Sequence, residues 1–317
     1  MTRIVTAIAL AASVLAAAPA MAQQRFGGLV IFGTSLSDSG NAFALLGSAN
    51  APHDYDLDPL LVPSRPYARG GHHFSDGATW VEQFARPMGL AGNARPALPN
   101  AGKAGANYAV GGARSVNTPL TFDLPEQVDA FLSDRGGVAP SDALYVIEMG
   151  GNDLRDALRA GVSGGQPAAE AVIAAALQSI GQHIGLLYQA GARKFLVWNA
   201  PNLGLTPAIR SLGPTVAGFA NLLSLGFNAG LEGQVLAPLS ALPGIQFYRL
   251  DVYSRLNEIV ASHAAFGLTN VTSACITPQT APYHCNDFKE YLFWDGIHPT
   301  TSAQAIIAQH AAAALAP

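Results

Sequence analysis

Charge is scarce in this sequence. Asp, Glu, Lys and Arg make up 12% of its 317 residues, about half of the roughly 25% usual in globular proteins. With 17 basic against 21 acidic side chains, a net charge of -4, it has no basic surplus for neutralising phosphates, and no nucleic-acid partner is expected. Cysteine is almost missing too. Cys275 and Cys285 are the only two, and without supporting ligands they make no zinc site. No charge run, internal repeat or flexible linker divides the chain. The first apolar run, Ile4 to Ala18, falls short of the roughly 20 residues that a membrane span needs.

That run has another reading. Arg3 precedes it, and "APAMA" and "QQ" follow it. One positive charge, an apolar stretch and an Ala-x-Ala ending describe a secretory signal peptide, cleaved after Ala22. The expected organisation is therefore a signal peptide at 1–22 and one domain at 23–317, exported to the periplasm or the medium. In an oxidising compartment, Cys275 and Cys285 are expected to form a disulfide.

What is plentiful is apolar residues, half of the chain. Five segments read as buried strands: Gly28–Thr34, Ala106–Val110, Ala143–Gly150, Lys194–Ala200 and Ile245–Val252. Helical patterns fall between them, over Asp76–Met88, Pro167–Ala190 and from Thr300 onward, with Thr300 as a cap. Strands alternating with helices imply an α/β fold with a parallel sheet covered on both faces. In such sheets, ligands bind at the carboxyl ends of the strands.

Those ends carry the chemistry. "GTS" after the first strand places Ser35 beyond a glycine turn. Gly111 and Gly112 follow the second strand, and "GGND" with Asn152 follows the third. Near the C-terminus, "WDGIHPT" sets Asp295 three residues before His298. A serine needs a base, a histidine base needs a carboxylate to fix its tautomer, and a developing oxyanion needs fixed donors. Singly, each motif has a plainer reading. A serine after a strand is more often a cap, Gly-Gly a tight turn, Asp153 a cap for "LRDALRA", and Asp-x-x-His a structural loop. Their order and their placement at strand ends favour the chemical reading.

"FGTSLSDSGN", "NYAVGGA", "GGND" and "DGIHP" resemble the four sequence blocks of the SGNH hydrolases, also called GDSL lipases and esterases, in the family's order from Phe32 to Pro299. "RPYARGGHHFSDGATWVEQFA" is similar to the segment between the first two blocks in the branch that includes plant and proteobacterial extracellular esterases. The resemblance implies a flavodoxin-like three-layer α/β/α sandwich with a central parallel sheet of about five strands. It implies Ser35 as nucleophile, Asp295 and His298 completing a triad, and Ser35, Gly112 and Asn152 as oxyanion donors. It requires no cofactor. One departure stands out: Thr34 occupies the place of the family's usual Asp, which is not the triad acid. Ser37 and Ser39 then read as turn and cap residues, and Asp38 as a local hydrogen-bonding group.

The implied function is ester hydrolysis, with short to medium acyl chains favoured because no strongly hydrophobic exposed lid is evident. Polysaccharide deacetylase, phospholipase and acyltransferase activities belong to the same fold, and a non-catalytic glycan- or lipid-binding module is the reading from another class. The expected partners are small-molecule, lipid or glycan esters, met by a monomer. "GVSGG" imitates another hydrolase motif, but a helical pattern precedes it, so Ser163 is expected in an inter-helix loop. His72 and His73 are expected to border the cleft without binding metal, and His284 to be a loop residue. Thr215–Leu231 reads as a core helix. The long Ala51–Gly71 connection is the candidate for substrate contact, and the disulfide is expected to stiffen the loop carrying Asp295 and His298.

Overall fold

The computed structural model describes residues 26–98, 105–119 and 121–316; the expected signal peptide lies outside them. Its centre is a parallel sheet of four strands in chain order: β1 (Leu29–Gly33), β2 (Leu144–Glu148), β3 (Lys194–Trp198) and β4 (Gln246–Leu250). Side chains alternate across it, as a strand's period of two requires. Val30, Phe32, Tyr145, Ile147, Phe195 and Val197 enter one core; Leu29, Ile31, Leu144, Val146, Leu196 and Trp198 enter the other. Both faces of β1, β2 and β3 are thus buried, which is why these strands read as apolar runs, whereas the edge strand β4 is partly exposed.

The first core is covered by α3 (Leu124–Asp134), α4 (Gly151–Gly164), α5 (Gln166–Gln189) and the helix Pro214–Gly230. The second is covered by α2 (Trp80–Ala85) and the C-terminal helix Thr301–Ala314, through Trp80, Phe84, Ala308 and Ala311. These three layers are the expected α/β/α sandwich. Among the described residues, only α5 is long and apolar enough to cross a membrane. Its Ala169, Leu177, Ile180, Ile184 and Leu187 are buried in the first core.

The structure corrects several boundaries. Ala106–Val110 is not a regular strand. It runs beside β1 through Ile31 N–H to Ala106 O, Tyr108 N–H to Ile31 O and Val110 N–H to Gly33 O. On its other side its backbone pairs with the irregular 93–97 segment, through Asn93, Arg95 and Ala97, so the fifth position of the sheet is an irregular edge. The helix expected over Asp76–Met88 is only Trp80–Ala85. A Thr79/Glu82 capping box starts it, and Pro87 disfavours helix in the residue before it. The preceding residues are drawn to the C-terminal helix instead, with Ser75 Oγ donating to Pro299 O and Asp76 accepting from Thr301 N–H. Thr300 does cap that helix, accepting from Ala303 N–H. A short parallel pair, Asn270–Ala274 with Tyr291–Phe293, escaped the sequence reading because its strands are polar or only three residues long.

At the end of β2, Glu148 is fully buried beneath the turn that carries Ser35. It accepts from Thr34 N–H at 2.8 Å and from Thr34 Oγ1 at 3.0 Å. This accounts for the departure at Thr34: a carboxylate there would face a second one in a buried turn, where two like charges destabilise each other. Burial raises the Glu148 carboxyl to about 7, the Thr34 hydrogen bonds only partly opposing it. A carboxyl raised on folding stabilises the fold fully below its unfolded value near 4.5, and that contribution is lost as pH rises through about 7. Glu148→Gln removes the titration. Relative to wild type, it should gain on the order of 3 kcal/mol between pH 4.5 and pH 8. Urea unfolding of both proteins at the two pH values checks this; parallel pH profiles would refute it.

Candidate active site

The carboxyl ends of the strands gather the residues that the motifs singled out. Ser35 lies two residues past β1, in a turn closed by Ser37 N–H and Asp38 N–H donating to Thr34 O. Its Oγ is 2.8 Å from His298 Nε2, and His298 Nδ1 is 2.7 Å from Asp295 Oδ2. The His298–Asp295 loop is short enough for its own backbone to hold the acid, with Ile297 N–H and His298 N–H both donating to Asp295 Oδ1 at 2.9 and 2.8 Å. All three side chains are buried.

A fourth contact was invisible in the sequence. Tyr67 Oη donates to Asp295 Oδ2 at 2.9 Å across 228 residues of chain. Burial, and then the Asp295 charge, push the Tyr67 phenol well above its ordinary value, so it remains a donor. The 51–71 connection that carries Tyr67 also receives Gly296 N–H on Leu61 O. A Cβ at Gly296 would sit 2.0 Å from Leu60 O, so this approach requires glycine. Only the length of the connection hinted at such a role.

The amides facing Ser35 are set by the second block. Gly111 N–H is taken by Asp38 Oδ2 at 2.8 Å, and Gly111 cannot carry a side chain because Phe74 would lie 2.1 Å from its Cβ. The Phe74 ring in turn rests on His298, 5.4 Å between centroids. Gly112 turns at φ +86°, a left-handed conformation suited to glycine. Neither Ser35 N–H nor Gly112 N–H has a protein acceptor among the described residues. Asn152, at the start of α4, spends one amide hydrogen on Ala113 O at 2.9 Å and keeps the other.

Asp38 is the expected local hydrogen-bonding group and also reaches beyond its turn to Gly111. Asp38 accepts from Gly40, Asn41 and Ala42 N–H, so it, and not Ser39, holds the start of α1 (Asn41–Leu46). Ser39 donates to Ala94 O, and Ser37 accepts from Trp80 Nε1. Asn41 donates to the carbonyls of Asn107 and Ala109, and Asn107 donates to Ser37 O. Asp153 is not a cap: it lies in the first turn of α4 and accepts from the Ser115 amide and hydroxyl. Burial raises its carboxyl to about 6.

The alternatives fall elsewhere. Ser163 lies in the last helical turn of α4, exposed, and donates to Arg159 O; the short spacing to α5 leaves no inter-helix loop around it. His73 is buried, with Nε2 2.9 Å from Glu82, and His72 stacks on Phe43 at 3.6 Å. His284 lies in the disulfide loop against Trp294. Thr215–Leu231 is the helix Pro214–Gly230, its Ala220, Leu223 and Phe227 in the core.

A cleft of about 730 Å³ adjoins the site on the side of Gly112 and Asn152. Gly112 and Asn152 form part of its floor, and Asp56, Leu57, Val62 and Pro63 of the 51–71 connection form one wall. The disulfide Cys275–Cys285 lies beside the acid: Cys275 N–H bonds to Phe293 O and Trp294 O, and Ile276 N–H to Trp294 O, immediately before Asp295.

The sequence pattern of the GDSL-like Lipase/Acylhydrolase family matches residues 29–311. Two GDSL esterase/lipases of Arabidopsis thaliana are each 28% identical, one over 90% of both chains, the other over 95% of this chain and 89% of its own. An extracellular lipase of Streptomyces rimosus superposes with a TM-score of 0.40 at 17% identity, covering 92% of this chain and 99% of its own. The family match spans nearly the whole described chain and contains every motif gathered at the cleft, so this protein belongs to the GDSL-like lipase/acylhydrolase family, hydrolases acting on ester bonds.

Proposed function

We propose that the protein is an exported serine esterase that works through a Ser35–His298–Asp295 triad and an acyl-enzyme. The observation that carries this reading is the unbroken relay from Ser35 Oγ through both nitrogens of His298 to Asp295. Asp295 accepts the Nδ1 proton, which leaves Nε2 free to take the proton of Ser35. Its remaining donors, Tyr67 and two backbone amides, keep the carboxylate in line with His298.

Attack by Ser35 on the ester carbonyl moves charge onto the carbonyl oxygen. The Ser35 and Gly112 amides and the free Asn152 hydrogen are the proposed acceptors of that charge. Gly111 is excluded from the role because Asp38 holds its amide. His298, now protonated, gives its proton to the departing alcohol. A water then loses a proton to the same nitrogen, attacks the acyl-enzyme and releases the acid. Export is supported by the disulfide and by the signal-like N-terminal sequence.

Turnover of p-nitrophenyl butyrate should fall by at least about 10³-fold in Ser35→Ala, without loss of the folded circular-dichroism spectrum. Equal rates in the two proteins would end the Ser35 mechanism. Asn152→Ala should lose about 10²- to 10³-fold, chiefly in kcat, as expected for an oxyanion donor; a pure KM effect would remove Asn152 from that role. Replacing Cys275 and Cys285 with serine should cost roughly 2 to 3 kcal/mol of stability and lower kcat through the loop that precedes Asp295. Unchanged heat stability and unchanged kcat would show that the disulfide does not brace the acid.

A further inference from the structure

Among the residues lining the cleft is a cation, Arg155, that has no ion-pair partner among the described residues. Arg155 lies on α4, one helical turn beyond Asn152, so both residues occupy the same face of the helix. It lines the cleft together with Gly112 and Asn152. Among the described residues, it forms no ion pair within 4.0 Å and no hydrogen bond.

Its neighbours are occupied. Arg114 is committed to Asp156 at 2.9 Å and to Gly112 O, and Arg159 shares the same Asp156 at 2.8 Å. One carboxylate thus serves two guanidiniums and leaves none for the third. The cleft's own acids are also engaged. Asp58 Oδ1 accepts from Leu60 and Val62 N–H, and Asp56 holds Ser64 and faces Arg65. Burial, and then the nearby Arg159 charge, pull the Arg155 guanidinium down, with Asp58 only partly compensating from a distance. A partly desolvated cation with no counterion is costly unless a ligand supplies the anion.

We propose that Arg155 is the anion-recognition residue of this cleft, so that the preferred substrates are esters bearing a carboxylate, phosphate or sulfate a short spacer away from the scissile carbonyl. This deepens the esterase reading and rests on it for placing the carbonyl beside Asn152. The guanidinium's planar fork suits two-point contact with such groups. Arg155 and Val62 also line a neighbouring, mainly apolar cavity of about 390 Å³ that contains Leu158, Ile209 and Leu212. The cation therefore marks the junction between the reaction site and a space able to take a hydrocarbon arm.

The anion could belong to either half of the ester, and two substrate pairs separate the sources. For the acyl half, mono-4-nitrophenyl adipate is compared with 4-nitrophenyl hexanoate. For the alcohol half, hexanoyl glycerol 3-phosphate is compared with monohexanoyl glycerol. In at least one pair, the anionic member should have the higher kcat/KM by about tenfold or more. That ratio should collapse by about tenfold in Arg155→Gln, through KM, be partly retained in Arg155→Lys, and shrink with added salt. Calorimetric binding of the favoured anionic ester to Ser35→Ala, with and without Arg155→Gln, reads recognition independently of turnover. Binding that weakens by about tenfold on loss of Arg155 supports the proposal even if the triad assignment fails. Anionic and neutral esters handled alike in both pairs, or a preference that survives Arg155→Gln, would overturn it while leaving the esterase reading intact.

Discussion

Buried carboxylates hold the cleft edge of this protein together. A parallel sheet ends in loops, and loops carry amides that no ladder satisfies. Asp38 collects amides from Gly40, Asn41, Ala42 and Gly111. Glu148 takes the amide and hydroxyl of Thr34, Asp153 those of Ser115, and Asp295 two amides, Tyr67 and His298. Asp38, Glu148 and Asp153 each bind a loop far away in sequence, and Asp295 reaches its own through Tyr67. The relative positions of Ser35, Gly112, Asn152 and His298 are set through these acceptors, because the sheet itself has ended before any of the four begins.

The arrangement has an electrostatic cost that falls unevenly. Asp38, Glu148 and Asp153 all have carboxyls raised by burial, despite the hydrogen bonds that favour their charged forms. Burial works against the charge on each, and the amides and hydroxyls they accept from work for it, a local conflict of the kind that functional sites retain. Asp295 draws its donors from His298, Tyr67 and its own loop.

How much of this was legible in the sequence follows from the range of each interaction. The parallel sheet and its two-sided core were legible because they follow from strands that are short apolar runs separated by helices. Ser35, Asn152, Asp295 and His298 stood out because each lies in a short motif, and Thr300 because a cap acts within three residues. Tyr67 on Asp295 and Thr34 on Glu148 were not legible, since 228 and 114 residues separate the partners. Asp153 was misjudged for the same reason, since it resembles a local cap and only folding brings Ser115 to it; the local role of Asp38 was legible, its bond to Gly111 was not. The irregular edge at Ala106–Val110 was misread because its composition suits a strand, while its outer neighbour at 93–97 is a loop.

Thr34 shows why a departure within a motif need not weaken it. The turn needs its amide fixed and its polar side chain satisfied, and a threonine facing a glutamate does this as well as an acid facing donors would. Two parts of the chain then meet at the cleft. Ser35, Gly112 and Asn152 sit on turns fixed by long-range carboxylates, whereas the 51–71 wall is held mainly by its own short-range bonds. Tyr67 couples the two, since that connection also supplies a donor to Asp295. A change in that wall is therefore not purely a change in the cleft's shape: whatever shifts Tyr67 also removes a hydrogen-bond donor from the carboxylate that holds His298.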